Sequence, residues 1–320
     1  MDLTIAIPSL GRTGQLTRLL TALTHQTLDA HRFEVLVGFD GETSPLSHPR
    51  AQILRLQHRG PAATRNTLVA LARGEVILFL NDDVFPEPDL AERHLAAHRE
   101  LGPADLVLGS APWHVPAGDS LFDRLIRETS LIFFYDAMNE AERDRDWGFR
   151  HAWTLNLSLR TALARRCPFD ERLRKAMFED LEWAARLAHA HGSRVLYRPE
   201  ARVTHDHRYT PADYLARERR LGAEALTLAA VNPACAEAIF RREIREADFV
   251  RECRRLITQE QEAAFVLERE FLDLAHAESH PGADIPALYQ RFLPLKRHWW
   301  RQGLVEAAAR VPGLGSTWAA

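Results

Sequence analysis

Cysteine is scarce in this chain, three in 320 residues, and Cys167, Cys235 and Cys253 form no CxxC pair. An odd count without paired spacing argues against a disulfide framework or a zinc site and suits a reducing compartment. An excess of one charge is also missing. Lys and Arg total 41 against 44 Asp and Glu, a net charge of −3, so no basic field invites nucleic acid. No run approaches the ~18 apolar residues of a membrane-spanning helix. The N-terminus enters a strand pattern at Leu3, with neither the basic nor the apolar region of a secretion signal. These absences predict a cytoplasmic protein. Several motifs are lacking too. No Walker loop GxxxxGK[ST] occurs, and Gly11-Arg12-Thr13-Gly14 does not make GxGxxG, which argues against a P-loop kinase and a dinucleotide oxidoreductase. No GxSxG is present, which excludes the serine-hydrolase elbow. His94 and His98 share a helical face at i and i+4 but lack the Glu of HExxH, and they read as a solvated face.

What is present is an alternation. A chain of this length can hold a sizeable core and one or two domains. Over the first 110 residues, short apolar runs alternate with helical patterns, the mark of βαβ units and a largely parallel sheet. Leu3 to Ile7 predicts a strand stopped by Pro8, and Leu16, Leu19, Leu20 and Leu23 predict a helix over about 14–26. Phe33 to Phe39 and Ile53 to Leu56 read as strands, and Gly60-Pro61 opens a helix. Val76 to Leu80 is a short buried strand, Pro86 and Pro88 open a further helix, and Asp105 to Ser110 is another strand. The middle is mixed. Leu155 to Leu159 reads as a strand, Asp180 to His191 as a helix, and Ser193 to Arg198 and Ala201 to His205 as two short strands. From Pro211 onward the pattern is almost wholly helical, which predicts a domain over 1–208 and a helical region over 209–320.

The chemistry collects at the ends of the apolar runs. Phe79-Leu80-Asn81-Asp82-Asp83-Val84 ends a buried strand on two adjacent carboxylates. In an open α/β sheet that edge is where ligands bind, and two neighbouring carboxylates need a cation or solvent to neutralise them. A solvated turn and a divalent-metal seat both satisfy that requirement. Asp40-Gly41 ends the second strand at the same edge, either as a turn signal or as an acceptor for a base or ribose. Arg59 to Asn66 sets two arginines and small residues around a helix start, which suits a phosphate or nucleotide environment or a surface helix opening. Glu179-Asp180 precedes Leu181, Trp183, Ala184 and Leu187; acids there either complement the helix dipole or supply a general base. His205 and His207 end a late strand as candidates for metal or phosphate, or as structural imidazoles.

Taken in order, these pieces resemble a family 2 glycosyltransferase of the GT-A fold. The residues that carry the resemblance are Thr4 to Ser9, Leu16 to Thr27, Phe33 to Gly41, Gly60 to Asn66 and Gly74 to Asp83. Leu155 to Arg160, Pro168 to Glu171, Glu179 to Glu182 and Val195 to His205 complete it. The resemblance covers residues 3–208. It implies a nucleotide-diphospho-sugar transferase fold, a Rossmann-like mixed α/β sheet flanked by helices, with a C-terminal helical extension.

It also implies roles. Asp40 would contact the nucleotide base, Pro8 and Ser9 would belong to the donor nucleotide site, and Arg65 would lie near the nucleotide or its phosphates. Asp83 would bind Mg²⁺ or Mn²⁺ bridging the diphosphate, with Asp82 near the ribose or metal and His205 near the metal or diphosphate. Asp180 would be the general base, supported by Glu179. The expected activity is an inverting, metal-dependent transfer from a UDP-, GDP- or dTDP-sugar to the hydroxyl of a glycan or lipid-linked acceptor, in glycan, polysaccharide or glycolipid assembly. Two positions depart from the pattern. Phe39 stands where the family often has an acid, which leaves the base recognised open, and Asn81 opens the metal motif, where its carbonyl can still coordinate.

The helical tail is less legible. Phe292 to Arg301 mixes aromatics with basic residues, which suits either a core helix or a peripheral contact at the inner face of a membrane. A homodimer contact is a further use for this region. Two rival readings of the whole chain are a nucleotide-sugar-binding protein without catalysis and a nucleotidyltransferase, which would want a Gly-rich basic loop after the first strand. Ser9-Leu10-Gly11-Arg12 imitates such a loop only in part.

Overall fold

The computed structural model describes residues 1–41, 46–133, 135–311 and 314. They divide into two compact units, Met1–His114 with Ala137–His207, and Val115–Asp136 with Arg208–Ala320. Segment 115–136 therefore groups with the helices that follow residue 208.

In chain order the elements are β1 (Leu3–Ser9), α1 (Thr13–Leu23), β2 (Phe33–Asp40), β3 (Gln52–Leu56), α2 (Pro61–Leu71), β4 (Val76–Leu80), β5 (Val84–Pro86), α3 (Leu90–Glu100) and β6 (Leu106–Ser110). After α4 (Leu121–Arg127) and α5 (Tyr135–Asn139) come β7 (Asn156–Arg160), α6 (Thr161–Arg166), α7 (Glu179–His191) and β8 (Val195–His205). Among the described residues the strands form one eight-stranded sheet in the order β3-β2-β1-β4-β7-β6-β8-β5. β1, β2, β3 and β4 run parallel, while β7 is antiparallel to both β4 and β6. Every residue of β4 is buried, as expected for a strand covered on both faces.

Two prolines behave differently from the sequence-based expectation. β1 continues through Pro8 to Ser9, because β4 pairs it only as far as Ala6. Beyond that point one flank of the strand has no ladder to lose. The two short strands expected on either side of Pro199 are one strand, β8. Its pairing with β6 jumps from Gly109↔Arg198 to Ser110↔Arg202, so residues 199–201 stand outside the ladder and the missing proline donor breaks nothing.

The expectation of a solvated face at His94 and His98 is corrected by the structure. Their exposures are 0% and 2%, since this face of α3 turns inward to the polar groups of β7. His94 Nε2 lies 2.9 Å from Asn156 Oδ1, and its Nδ1 lies 2.8 Å from Ser158 Oγ. His98 Nε2 lies 2.8 Å from the same hydroxyl. The Asn156 amide nitrogen already donates to the Ser110 and Ala201 carbonyls. Its oxygen must therefore accept from His94 Nε2–H, Ser158 donates to His94 Nδ1, and His98 donates to Ser158. A neutral His94 satisfies this chain, since its Nδ1 accepts from Ser158. Burial is the main reason both titrate low, His94 at about 4 and His98 at about 3; His94 and Arg160 lower His98 further.

Aromatic packing fixes the start of α7. The Trp183 ring stacks on Phe169 at 4.3 Å, and Phe79 of β4 meets both edge-on at 5.7 and 5.9 Å. Trp183 Nε1 donates to the Cys167 carbonyl at 2.6 Å. The three cysteines are buried, with no disulfide among them.

The second unit holds α4, α8 (Pro211–Val231), α9 (Pro233–Phe240), α10 (Ala247–Asp273) and α11 (Ile285–Ala308). Capping boxes at Ser120/Asp123 and Thr210/Asp213 start α4 and α8. Phe122, Tyr214, Phe271 and Phe292 form its aromatic core. α8 and α11 touch backbone to backbone: a Cβ on Gly222 would sit 1.8 Å from the Trp300 carbonyl, and one on Gly303 1.7 Å from that of Arg219. Within Phe292 to Arg301, Phe292, Leu295 and His298 are buried. Among the described residues no helix is long and apolar enough to cross a membrane.

Two outcomes are expected. Gly303→Ala should lower stability by about 3 kcal/mol, because a backbone carbonyl cannot rotate away as a side chain can; a urea midpoint equal to wild type would contradict the contact. The histidine network should make stability fall as pH drops from about 6.5 towards 4, since the unfolded imidazoles take up protons first. The slope is about 1.4 kcal/mol per pH unit for each histidine, and it should flatten in His94→Gln. Denaturant titrations at pH 7, 6 and 5 measure it.

Candidate functional site

Parallel β1, β2 and β4 end at one sheet edge, so Ser9, Asp40 and the Asn81-Asp82-Asp83 turn come together there. A cavity of about 340 Å³ opens at this edge, lined among others by Pro8, Ser9, Asp40, Arg65, Asn81 and Asp82. That volume falls within the usual range for small-molecule sites.

Asp82 and Asp83 are buried, with 1% and 3% of their side chains exposed. Ser9 Oγ donates to Asp82 Oδ2 at 2.6 Å. The guanidinium of Arg12, which also lines the cavity, bridges the pair. Its Nη2 lies 2.5 Å from Asp82 Oδ1 and its Nη1 2.5 Å from Asp83 Oδ2. Asp83 faces two imidazoles as well, with His207 Nδ1 at 3.2 Å and His205 Nε2 at 3.6 Å. Their strand is pinned to the acid turn, since β5 and β8 pair Val84 with His205, and Asp206 N donates to the Asp83 carbonyl. Trp113 packs its ring 4.3 Å from that of His205.

The two acids titrate in opposite directions. Burial pushes Asp82 up, and Arg12 and Ser9 only partly offset it. Burial also raises Asp83, but His205, His207 and Arg12 outweigh it and hold the carboxyl well below the usual range. Burial lowers Arg12 while Asp83 and Asp82 raise it, with a net rise.

Asp40 is largely committed to its own loop. Its carboxylate accepts from Arg59 N at 2.7 Å and Gly60 N at 3.0 Å, and lies 3.1 Å from His58 Nδ1. A carboxylate has about four acceptor sites, so room for one further donor remains. Gly60 has φ +96°, and a Cβ there would meet the Arg174 carbonyl at 2.3 Å. That close approach brings Arg174, Lys175 and Ala176 to the cavity wall.

Glu179 and Asp180 open α7, and their surroundings separate them. Glu179 is buried and forms an ion pair with Arg65, Oε1 to Nη1 2.8 Å, while Met177 N donates to its other oxygen. Among the described residues Asp180 has no cationic partner of its own. Its Oδ1 accepts from Leu181 N at 2.9 Å and its Oδ2 from Thr154 N at 3.5 Å. The residue keeps part of its surface open, yet its carboxyl lies deep among protein atoms. Burial, then the Glu179 charge, push it up to about 7, against the pull of Arg65. A carboxyl that is half ionised at neutral pH is suited to proton transfer.

The donor set fits a hard divalent cation. Asp83 Oδ1 is buried and makes no hydrogen bond, and a carboxylate oxygen beside an imidazole is ordinary metal-ligand chemistry. Among the described residues no three His, Cys, Asp or Glu side chains already surround a common point. Asp83 and His205 would therefore hold such an ion only with further oxygens from a bound ligand.

The sequence-predicted residues Pro8, Ser9, Asp40, Arg65 and Asp82 thus share one cavity, with Asp83 and His205 joined to it through Arg12 and the acid turn, and Glu179 through Arg65. Sequence reasoning passed over Arg12 and His58. The signal for Arg12 lay in Ser9-Leu10-Gly11-Arg12, a basic residue just after β1; His58 carried none.

Residues 4–150 match the family described as Glycosyl transferase family 2. Among curated proteins, the chain is 30% identical over 252 residues to a pre-mycofactocin glycosyltransferase of Mycobacterium tuberculosis, covering 72% of this chain and 48% of that one. It is 31% identical over 219 residues to a validoxylamine A glucosyltransferase of Streptomyces hygroscopicus, covering 59% and 52%. The chain thus spans about half the length of the curated relatives it matches. Its fold is that of the mannosyltransferase PcManGT from Pyrobaculum calidifontis, solved with GDP-Man and Mn²⁺, with a TM-score of 0.56 at 17% identity over 96% of this chain and 86% of the other. The sheet-bearing unit, with the GT-A arrangement of strands and an acid pair at the edge, matches glycosyl transferase family 2 over residues 4–150.

Proposed function

We propose that the protein is an inverting glycosyltransferase that moves a sugar from a nucleoside-diphosphate donor to an acceptor hydroxyl, in the assembly of a glycan, polysaccharide or glycolipid. The carrying observation is the buried acid pair at the sheet edge where β1, β2 and β4 end, with Asp82 in the cavity wall and Asp83 next to it in the turn. The curated relatives are named as sugar transferases, and the Pyrobaculum neighbour holds a nucleotide sugar with Mn²⁺. The Pyrobaculum neighbour's GDP-Man supports a nucleotide-sugar donor; the proposed donor is of UDP, GDP or dTDP type.

Each side chain then has a task. Asp40, having fastened the Arg59–Gly60 turn, offers its remaining acceptor site to the base. Ser9 orients Asp82 toward the ribose side. A bound Mg²⁺ or Mn²⁺, held by Asp83 and His205, would supply positive charge to the departing diphosphate. Asp180 takes the proton of the acceptor hydroxyl as its oxygen bonds to the anomeric carbon and the bond to the diphosphate breaks. One displacement at that carbon inverts its configuration. Glu179 does two things: it holds Arg65 at the cavity wall, and its charge raises the proton affinity of Asp180. The helical unit is the proposed source of acceptor selectivity.

Asp180→Asn should retain donor affinity and lose about 10²–10⁴ in turnover, measured by product formation with UDP- and GDP-sugars. In the wild type, kcat should rise with pH through about 7, as the base becomes ionised, and then level off. Unchanged turnover in the variant, or a flat profile between pH 6 and 8, would remove Asp180 from the base role.

A further inference from the structure

The acid pair already has a cation, and it is part of the chain. Arg12 stands just before α1 and follows Gly11, whose φ of +103° turns the chain sharply after β1. Each of its terminal nitrogens meets a different carboxylate, at 2.5 Å. The acids are buried, but 42% of the Arg12 side chain is exposed, so one partner is fixed and the other has room to move. The guanidinium also lies 3.3 Å from His207 Nδ1 and lines the cavity. It therefore touches Asp83 and His207 while facing the space a donor would fill.

We infer that Arg12 has two positions: on Asp82 and Asp83 when the cavity is empty, and on the donor's diphosphate when it is filled, so that divalent metal and donor enter together. This rests on the glycosyltransferase reading above. The chemistry requires an exchange. A divalent ion on Asp83 Oδ1 and His205 would crowd a second cation onto the carboxylate whose Oδ2 already holds Arg12, and displacing Arg12 strands a cation unless a new anion is offered. A diphosphate is that anion, and the planar fork of arginine matches its oxygens as well as it matches a carboxylate. Metal alone has to evict Arg12 without compensation and binds weakly. Donor alone approaches a pair of acids already neutralised in part, and gains Arg12 only when a metal takes its place.

Mn²⁺ binding provides the test, read by the electron paramagnetic resonance signal of the free ion. The intact chain, Arg12→Gln and Asp83→Asn are titrated with Mn²⁺ alone, with Mn²⁺ plus UDP and with Mn²⁺ plus GDP. Without nucleotide, Arg12→Gln should bind Mn²⁺ at least tenfold more tightly than wild type. Wild type should gain at least tenfold when its nucleotide is added, and the variant should gain much less. Mn²⁺ should also raise the melting temperature of Arg12→Gln more than that of wild type. Arg12→Lys, which keeps the charge but loses the fork, serves if Arg12→Gln fails to fold, and should fall between the two. Equal Mn²⁺ affinity in wild type and the Arg12 variants, with Asp83→Asn weaker than both, overturns the inference and leaves the proposed function standing. No Mn²⁺ binding by any form, with or without nucleotide, overturns the inference and the metal part of that function together.

Discussion

Two carboxylates at the end of a fully buried strand set the main constraint on this molecule. β4 is apolar at every position and covered on both faces, so the turn that follows it carries Asp82 and Asp83 below the surface. Like charges so placed are tolerated only when cations and hydrogen-bond donors surround them. The chain meets that need from distant points. Ser9 and Arg12 come from the end of β1 and the loop after it, and His205 and His207 from the end of β8. The electrostatic demand of one turn thus ties together segments nearly 200 residues apart, and the same demand creates a seat for a cation.

The second pair of acids shows the complementary device. Glu179 and Asp180 are adjacent at the start of one helix, but among the described residues only Glu179 is paired with an arginine. Its neighbour is left with backbone donors and a repelling charge, and its proton affinity rises to about 7. Environment rather than residue type separates these carboxylates, one a counter-ion and the other, in the proposed mechanism, the proton acceptor. The Trp183–Phe169–Phe79 cluster makes the separation dependable, because it fixes α7 against β4.

Much of this was legible in the residues. The strands β2, β4 and β6 and the helix α7 lie within a residue of their expected positions, since each is a short apolar run or an amphipathic repeat bounded by a polar turn. Helix α1 ends three residues before the expected 26. The candidate residues at strand ends could be listed because, in a parallel sheet, strand ends share an edge. Contacts that depend on tertiary partners were not legible. β1 runs on through Pro8 because β4 stops at Ala6, and β8 spans Pro199 because its ladder skips three residues. Nothing local to those prolines reports either fact. His94 and His98 look solvated in sequence because their partners, Asn156 and Ser158, lie some sixty residues away. Arg12 lies in a segment that only partly imitates a known loop motif, and its contacts with Asp82 and Asp83 depend on reach and charge rather than on that motif.

The measurement that most directly tests the account is a calorimetric titration of UDP, GDP and dTDP into the intact chain with Mn²⁺, repeated with Asp83→Ala. The account predicts that one base binds with metal present and that the variant loses that binding while remaining folded. A nucleotide that binds equally well to both proteins, or the absence of binding by all three, would contradict the placement of the donor site at this sheet edge.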